Sequence, residues 1–321
     1  MLLEIKNLTV EFGPESAPLR AVDDVSFSIG EGETVCLVGE SGSGKTLTAL
    51  SVGRLVPTPP ARYAGGEILL RGKNVLEMSK SELRAIRGGV VGYVFQEPGA
   101  SLNPVFRVGA QIREALRLHR PERANDVEVA RLLGLVGIPA PEERLKNYPH
   151  EMSGGMQQRV MIAMAIASEP RLLVADEPTT ALDVTIQAQI IELLAELKAR
   201  LGMAIFLITH NLGIVGDIAD RVAVMYAGQI VEMGPARDVL QRPLHPYTQA
   251  LIHSVPKLGG GHRRLQAIGG NVPALGDFPS GCRFFPRCPS ARPECGRVAP
   301  ELRELERGRW VRCDYAKDLV S

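Results

Sequence analysis

Apolar and polar residues alternate over residues 2–12 and again over 20–29, with Gly13, Pro14 and Ser16 between the two stretches. A period of two turns one face of each segment inward, so the pattern predicts an antiparallel pair and with it an N-terminal β-subdomain. Thr34 to Val38 is then a short apolar run that ends at a glycine, and a helical pattern begins at Lys45. This predicts a buried strand feeding directly into a helix. Between about Glu97 and Ser168 the chain is mostly helical in pattern, with three- and four-residue apolar spacing in Glu114 to His119 and Val127 to Val136, which predicts an inserted helical subdomain. Strand-like runs return at Leu172 to Ala175, Ala204 to Ile208 and Val222 to Tyr226, with a helix over Thr185 to Leu201, the alternation of a parallel α/β sheet. After Pro256, KLGGGHRR reads as a linker, and the remainder is rich in Gly, Pro and Arg with little periodicity.

With 321 residues and 45% hydrophobic content, the chain can bury a full core, and its length suggests one large domain with an appendage. Lys and Arg total 37 against 36 Asp and Glu, a balance that argues against nucleic acid or an anionic membrane surface as the main partner. Glu4 and Lys6 interrupt the apolar start, so no secretion signal is expected and the cytosol is the predicted compartment. The longest apolar run, Val160 to Ala167, is far shorter than the roughly 20 residues of a membrane-spanning helix. Any membrane role therefore comes through another protein.

The predicted strand-to-helix junction carries Gly39-Glu-Ser-Gly-Ser-Gly-Lys-Thr46, which fits the Walker A pattern. Glycines at 39, 42 and 44, with Ser41 and Ser43, let backbone N–H groups converge on phosphates at a helix N-terminus. Lys45 is expected on the β and γ phosphates and Thr46 on magnesium. Leu172-Leu-Val-Ala-Asp176-Glu177 supplies two carboxylates after a second apolar run. On their own these could equally cap the next helix. Beside a phosphate loop, Asp176 is expected to hold magnesium through water and Glu177 to orient and polarise the attacking water.

Met152-Ser-Gly-Gly-Met-Gln-Gln-Arg159, seventeen residues before Asp176, resembles the signature sequence of ATP-binding cassette (ABC) ATPases, and the resemblance covers about residues 1–255. It implies an α/β fold in which a RecA-like parallel sheet core carries the N-terminal antiparallel β-subdomain and a helical subdomain at about 97–168. A cysteine-rich extension occupies 256–321. It also implies an ATPase that works as a dimer, with Ser153, Gly154 and Gly155 reaching the γ phosphate of ATP held by a second ABC subunit, identical or paralogous. Gln96 matches the Q-loop glutamine that ligates magnesium and senses the membrane partner, Ala181-Leu-Asp183 the D-loop, and His210 the switch histidine. Phe12 is the candidate for stacking on adenine, with core packing as the alternative. Met156 departs from the glutamine many members carry at that signature position, and leaves the phosphate-contacting positions intact.

Finer resemblance is to importers of di- and oligopeptides, a group that also includes nickel importers. Gln96-Glu-Pro-Gly-Ala-Ser-Leu-Asn-Pro104 resembles that group's extended Q-loop, and Leu244-His-Pro-Tyr-Thr-Gln-Ala-Leu251 its post-core helix. The resemblance implies two integral membrane permease subunits, an external substrate-binding protein acting indirectly, and a peripheral position on the cytoplasmic face of the inner membrane. The alternatives are import of nickel or another small solute, or a soluble ABC ATPase acting on nucleic acid or ribosomes. The latter usually carry two cassettes, a long coiled coil or basic patches, none of which is seen.

Cys282, Cys288, Cys295 and Cys313 crowd the end of the chain, while Cys36 stands alone inside the predicted strand and suits core packing. Four thiolates suit zinc or a four-iron four-sulfur (4Fe-4S) cluster, and gaps of five, six and seventeen residues match the usual spacing of neither. Free thiols in a loosely ordered tail are the third reading. The importer resemblance favours the 4Fe-4S cluster, with zinc as the alternative. Arg283, Arg287, Arg292, Arg297 and Arg312 are expected to surround the cysteines and favour thiolates.

Overall fold

The computed structural model describes residues 1–180, 182–254 and 268–319. The expected linker KLGGGHRR and Ala181 lie outside the described residues. The alternating N-terminal stretches form strands β1 (Leu3–Phe12) and β2 (Leu19–Ile29), which pair antiparallel. Strands β3 (Thr34–Val38), β4 (Arg62–Leu70), β5 (Lys73–Asn74), β6 (Val91–Val94), β7 (Leu172–Asp176), β8 (Ala204–Thr209), β9 (Arg221–Tyr226), β10 (Gln229–Pro235), β11 (Arg303–Glu306) and β12 (Arg309–Val311) follow. They form a four-stranded sheet, β2-β1-β4-β5, and an eight-stranded sheet, β11-β12-β10-β9-β3-β8-β7-β6. From β9 to β6 neighbours run parallel, while β10, β12 and β11 add antiparallel.

Every residue of β3, β7 and β8 is buried, as continuous apolar runs require when both faces of a sheet are covered. On β3, Val35 and Leu37 face the antiparallel sheet, whereas Cys36 and Val38 join the core shared with the helices. Phe27 of β2 meets Phe206 of β8 with ring centroids 5.2 Å apart, which ties the two sheets together. Burial holds the Cys36 thiol far above its usual pKa, so it serves as an apolar packing group.

The inserted helices include Val108–His119, Asp126–Leu135 and Gly154–Ile166. Val108, Ile112 and Leu116 recur at four-residue spacing and form the buried stripe of the first. Asn125 caps the second by accepting from the Glu128 N–H at 3.0 Å. The eight-residue apolar run belongs to the third, which is buried on most sides. Among the described residues no helix is long and apolar enough to cross a membrane.

The structure departs from the sequence expectation most after residue 268. Two strands of four and three residues, too short to show a period, pair with each other and add to the free edge of β10 through Glu232↔Val311 and Met233↔Trp310. The extension thus continues the main sheet. Fully buried Glu232 accepts from the N–H groups of Leu244 and His245 at 2.9 and 2.8 Å and from Arg309 at 3.0 Å. Burial raises its pKa, and these donors oppose the rise.

His245 is also buried and accepts from the Tyr247 N–H at 3.1 Å. Burial lowers its pKa to about 3, against 6.5 normally. The unfolded chain therefore takes up a proton below pH 6.5 that the folded chain refuses until about pH 3, and stability falls as pH falls through that window. Urea unfolding between pH 6 and pH 4 should show a dependence smaller by about 1.4 kcal/mol per pH unit in His245→Gln than in the parent chain.

Candidate functional site

Between β3 and the helix Lys45–Ser51, the chain turns so tightly that side chains have no room at two positions. A Cβ on Gly39 would lie 2.2 Å from the Met225 carbonyl oxygen. One on Gly44, at φ +102°, would lie 2.8 Å from that of Ala21. The loop borders a cavity of about 940 Å³, whose lining includes Gly39, Ser41, Gly42, Gly44, Lys45 and Thr46. Lys45, only 4% exposed, donates from Nζ to the carbonyls of Gly39 and Glu40 at 2.9 and 2.8 Å. Burial lowers its pKa, while Glu177, Asp176 and Glu40 pull it back up. Ser43 sits in the loop but turns its hydroxyl inward, so it offers the cavity no side-chain contact.

Successive side chains of a strand point to opposite faces, so two adjacent carboxylates would not ordinarily reach one site. At Glu177 the backbone enters the left-handed region, φ +48°, and its N–H donates to the Ile208 carbonyl at 2.9 Å. Asp176 stays buried beneath the loop, where the Thr46 hydroxyl donates to its Oδ1 at 3.3 Å. Its pKa is raised by burial and by Glu177, against the Thr46 hydrogen bond and Lys45. Glu177 turns to the cavity, and its Oε2 collects three partners: Thr180 Oγ1 at 2.8 Å, His210 Nδ1 at 3.1 Å and Gln96 Nε2 at 3.3 Å. Phe12, at the end of β1, lines the same cavity and also packs partly on the core.

Ser153, Gly154, Gly155 and Asp183 lie elsewhere. None lines the cavity of its own chain; Ser153, Gly154 and Asp183 are exposed and Gly155 half-buried. Ser153 caps Gly154–Ile166 by accepting from Met156, and Asp183 caps Val184–Leu201 by accepting from Ile186 at 2.9 Å. The two helix starts adjoin, since a Cβ on Gly155 would sit 3.1 Å from Ile186.

The structure bears on the cysteine expectations in two respects. Among the described residues no three or more His, Cys, Asp or Glu side chains are arranged to hold a metal ion. Four of the five arginines, moreover, are committed to other partners: Arg283 to Asp23 and the Ala227 carbonyl, Arg287 to Glu40, Arg292 to Asp318, and Arg312 to Asp24 and the Ile230 carbonyl. Instead of favouring thiolates, the surroundings raise the pKa of Cys282, Cys288 and Cys313, through burial first and the neighbouring cysteines after it. The four cysteines do share one compact unit: the Cys282 N–H donates to the Cys295 carbonyl at 2.7 Å, and a 3-10 turn joins Cys282 to Cys288.

Pattern reading missed Thr180, although its place three residues after Glu177 in a turn was a usable sign. It also missed Glu40, Leu251, Ile268, Pro273, Leu275 and Phe278, which are part of the cavity wall. The last four come from the extension, and no local pattern connects them to a loop more than 200 residues earlier.

Residues 22–180 match the family described as "ABC transporter", and 231–295 match "Oligopeptide/dipeptide transporter, C-terminal region". The dipeptide transport ATP-binding protein DppD of Escherichia coli K12 is 48% identical over 99% of this chain and 97% of its own. The oligopeptide transport ATP-binding protein AppD of Bacillus subtilis 168 is 48% identical over 97% of this chain and 96% of its own. Among solved structures, a dimeric ATP-binding cassette in a post-hydrolysis state bound to ADP and Pi superposes with a TM-score of 0.64 at 27% identity, covering 73% of this chain and 99% of the cassette.

Replacing Gly39 by Ala sets a methyl group against the Met225 carbonyl, so the junction of β3 and the loop must shift. Urea unfolding of Gly39→Ala should show a loss of about 1–3 kcal/mol, the usual range for overpacking.

Proposed function

This chain belongs to the ABC transporter ATP-binding proteins of the oligopeptide/dipeptide group, and from that premise we propose that it is the ATP-hydrolysing subunit of an importer of di- and oligopeptides. The observation that carries the reading is the meeting of Gln96, Thr180 and His210 on a single Glu177 oxygen at the edge of the phosphate-loop cavity. Three hydrogen-bonding groups aimed at one carboxylate hold it where a water can be oriented towards a bound γ phosphate.

In this reading the loop amides and Lys45 bind the phosphates, Lys45 exchanging the Gly39 and Glu40 carbonyls for phosphate oxygens. Phe12 offers a ring to the base. Thr46, Asp176 and Gln96 are the residues that would hold magnesium, and the hydroxyl–carboxylate contact of Thr46 with buried Asp176 suits a hard cation. Magnesium, when bound, supplies charge neutralisation on the phosphates. Glu177 orients the water, and His210, sharing its oxygen, follows the γ phosphate.

Ser153 and Gly154 are exposed at a helix start, with Gly155 half-buried behind them, which suits an anion contributed by a second ABC subunit, with Asp183 beside the same seam. The permease partners would dock near Gln96–Pro104, where Val105 and Phe106 are exposed apolar side chains. The subunit would then sit on the cytoplasmic face of the inner membrane, with a substrate-binding protein acting from outside.

The 4Fe-4S cluster on Cys282, Cys288, Cys295 and Cys313 belongs to the same proposal. What supports it is that the four cysteines belong to one compact unit, in which the Cys282 N–H donates to the Cys295 carbonyl and Cys282, Cys288 and Cys313 each lie close enough to other cysteines to raise one another's pKa.

Glu177→Gln should retain ATP binding, lower the hydrolysis rate by about 100-fold or more, and accumulate an ATP-bound dimer on size-exclusion chromatography. Hydrolysis at the parent rate would remove Glu177 from the chemistry. Protein purified without air should be brown and contain iron and acid-labile sulfide, both absent from a variant with the four cysteines replaced by serine; colourless protein with zinc would overturn the cluster.

A further inference from the structure

Arg287 reaches from the extension to the phosphate loop, ending on the second residue of the Walker A motif. Its Nη1 and Nη2 donate to the two carboxylate oxygens of Glu40 at 2.6 and 3.0 Å, a bidentate fork. The guanidinium also lies over the Tyr226 ring at 5.7 Å and donates from Nε to the Gly269 carbonyl at 2.9 Å. Little of this arrangement is free to move. Arg287 ends the 3-10 turn Phe285–Arg287, and the preceding Phe284 is buried with its ring 5.2 Å from Tyr226 and 5.3 Å from Tyr247. Tyr247 in turn accepts the Glu40 N–H on its hydroxyl at 2.9 Å. Glu40 is therefore held at backbone and side chain by groups outside the loop, while its carbonyl accepts from Lys45.

A carboxylate at this point has an electrostatic consequence. Glu40 lines the cavity with the loop and lies close enough to Lys45 to favour its charged form, so an unpaired Glu40 would set a negative charge beside the phosphates. We infer that Arg287 is a positioning residue for nucleotide binding, one that fixes the Glu40 segment of the phosphate loop and neutralises its carboxylate, so that an ordered extension is a condition for tight ATP binding. The inference rests on the reading of this loop as the ATP site. It gives the extension a role in the nucleotide chemistry of the cassette, separate from any group its cysteines bind.

The test measures the affinity of the full-length chain for a fluorescent ATP analogue with magnesium. Lys45→Ala tests the site itself, and if it binds like the parent chain the ATP reading fails. Given loss of binding in Lys45→Ala, Arg287→Gln should weaken binding by about tenfold or more, within the range of coupling between sites. Glu40→Gln/Arg287→Gln should recover most of that loss, because the uncompensated charge is gone. A purely structural role for Arg287 predicts no recovery. Arg287→Lys, which keeps the charge without the fork, serves as the milder variant and should bind between the parent and Arg287→Gln. Parent-like affinity in Arg287→Gln, or a double variant no better than the single, would overturn the inference. Should Arg287→Gln fail to fold, Arg287→Lys with and without Glu40→Gln decides it in the same way.

Discussion

The turn from β3 into the helix Lys45–Ser51 is the constraint on which the site depends. Both faces of β3 are covered and its neighbours β8 and β9 are hydrogen-bonded along its length, so the strand has one position. The loop that leaves it passes against the carbonyls of Met225 and Ala21, where only glycine fits at 39 and 44. A sheet that grips one strand from both edges and both faces thereby delivers a rigid glycine-rich loop, its amide groups and a helix start to the C-terminal end of that strand.

Charge around that loop is divided by burial and by partners. Asp176 lies under the loop with Thr46, Glu177 stands in the cavity held by three side chains, and Glu40, also at the cavity wall, is paired with Arg287. Three carboxylates and one lysine at the proposed nucleotide site would be self-defeating were the carboxylates equivalent. Left-handed backbone at Glu177 separates it from Asp176, and the fork from the extension neutralises Glu40. Each acid thereby has a distinct environment, as distinct tasks at one site require.

The extension is built into this arrangement. Its hairpin adds to β10, Arg309 satisfies the buried Glu232, Phe284 fills an aromatic cluster with Tyr226 and Tyr247, and Pro273, Leu275 and Phe278 wall the cavity. Arg283, Arg287 and Arg312 act as struts to the cassette, which explains why they leave the thiols without a favouring charge.

The one-dimensional pattern determined the elements and motifs that are local. Period-two alternation marked β1 and β2, apolar runs marked β3, β7, β8 and β9, and the Walker A glycines, Asp176-Glu177, the signature and His210 each stood out within a few residues of chain. Their order along the sequence was enough for the family, and hence for the expectation that they meet. Only the tertiary structure decided what depends on contacts between distant segments: the addition of β11 and β12 to an open strand edge, Arg287 on Glu40 across 247 positions, and Arg283 on Asp23 across 260. Short strands carry too few residues to show a period, and an arginine's sequence does not say which carboxylate it will reach; backbone geometry and exclusion of water settle both, and neither is written locally.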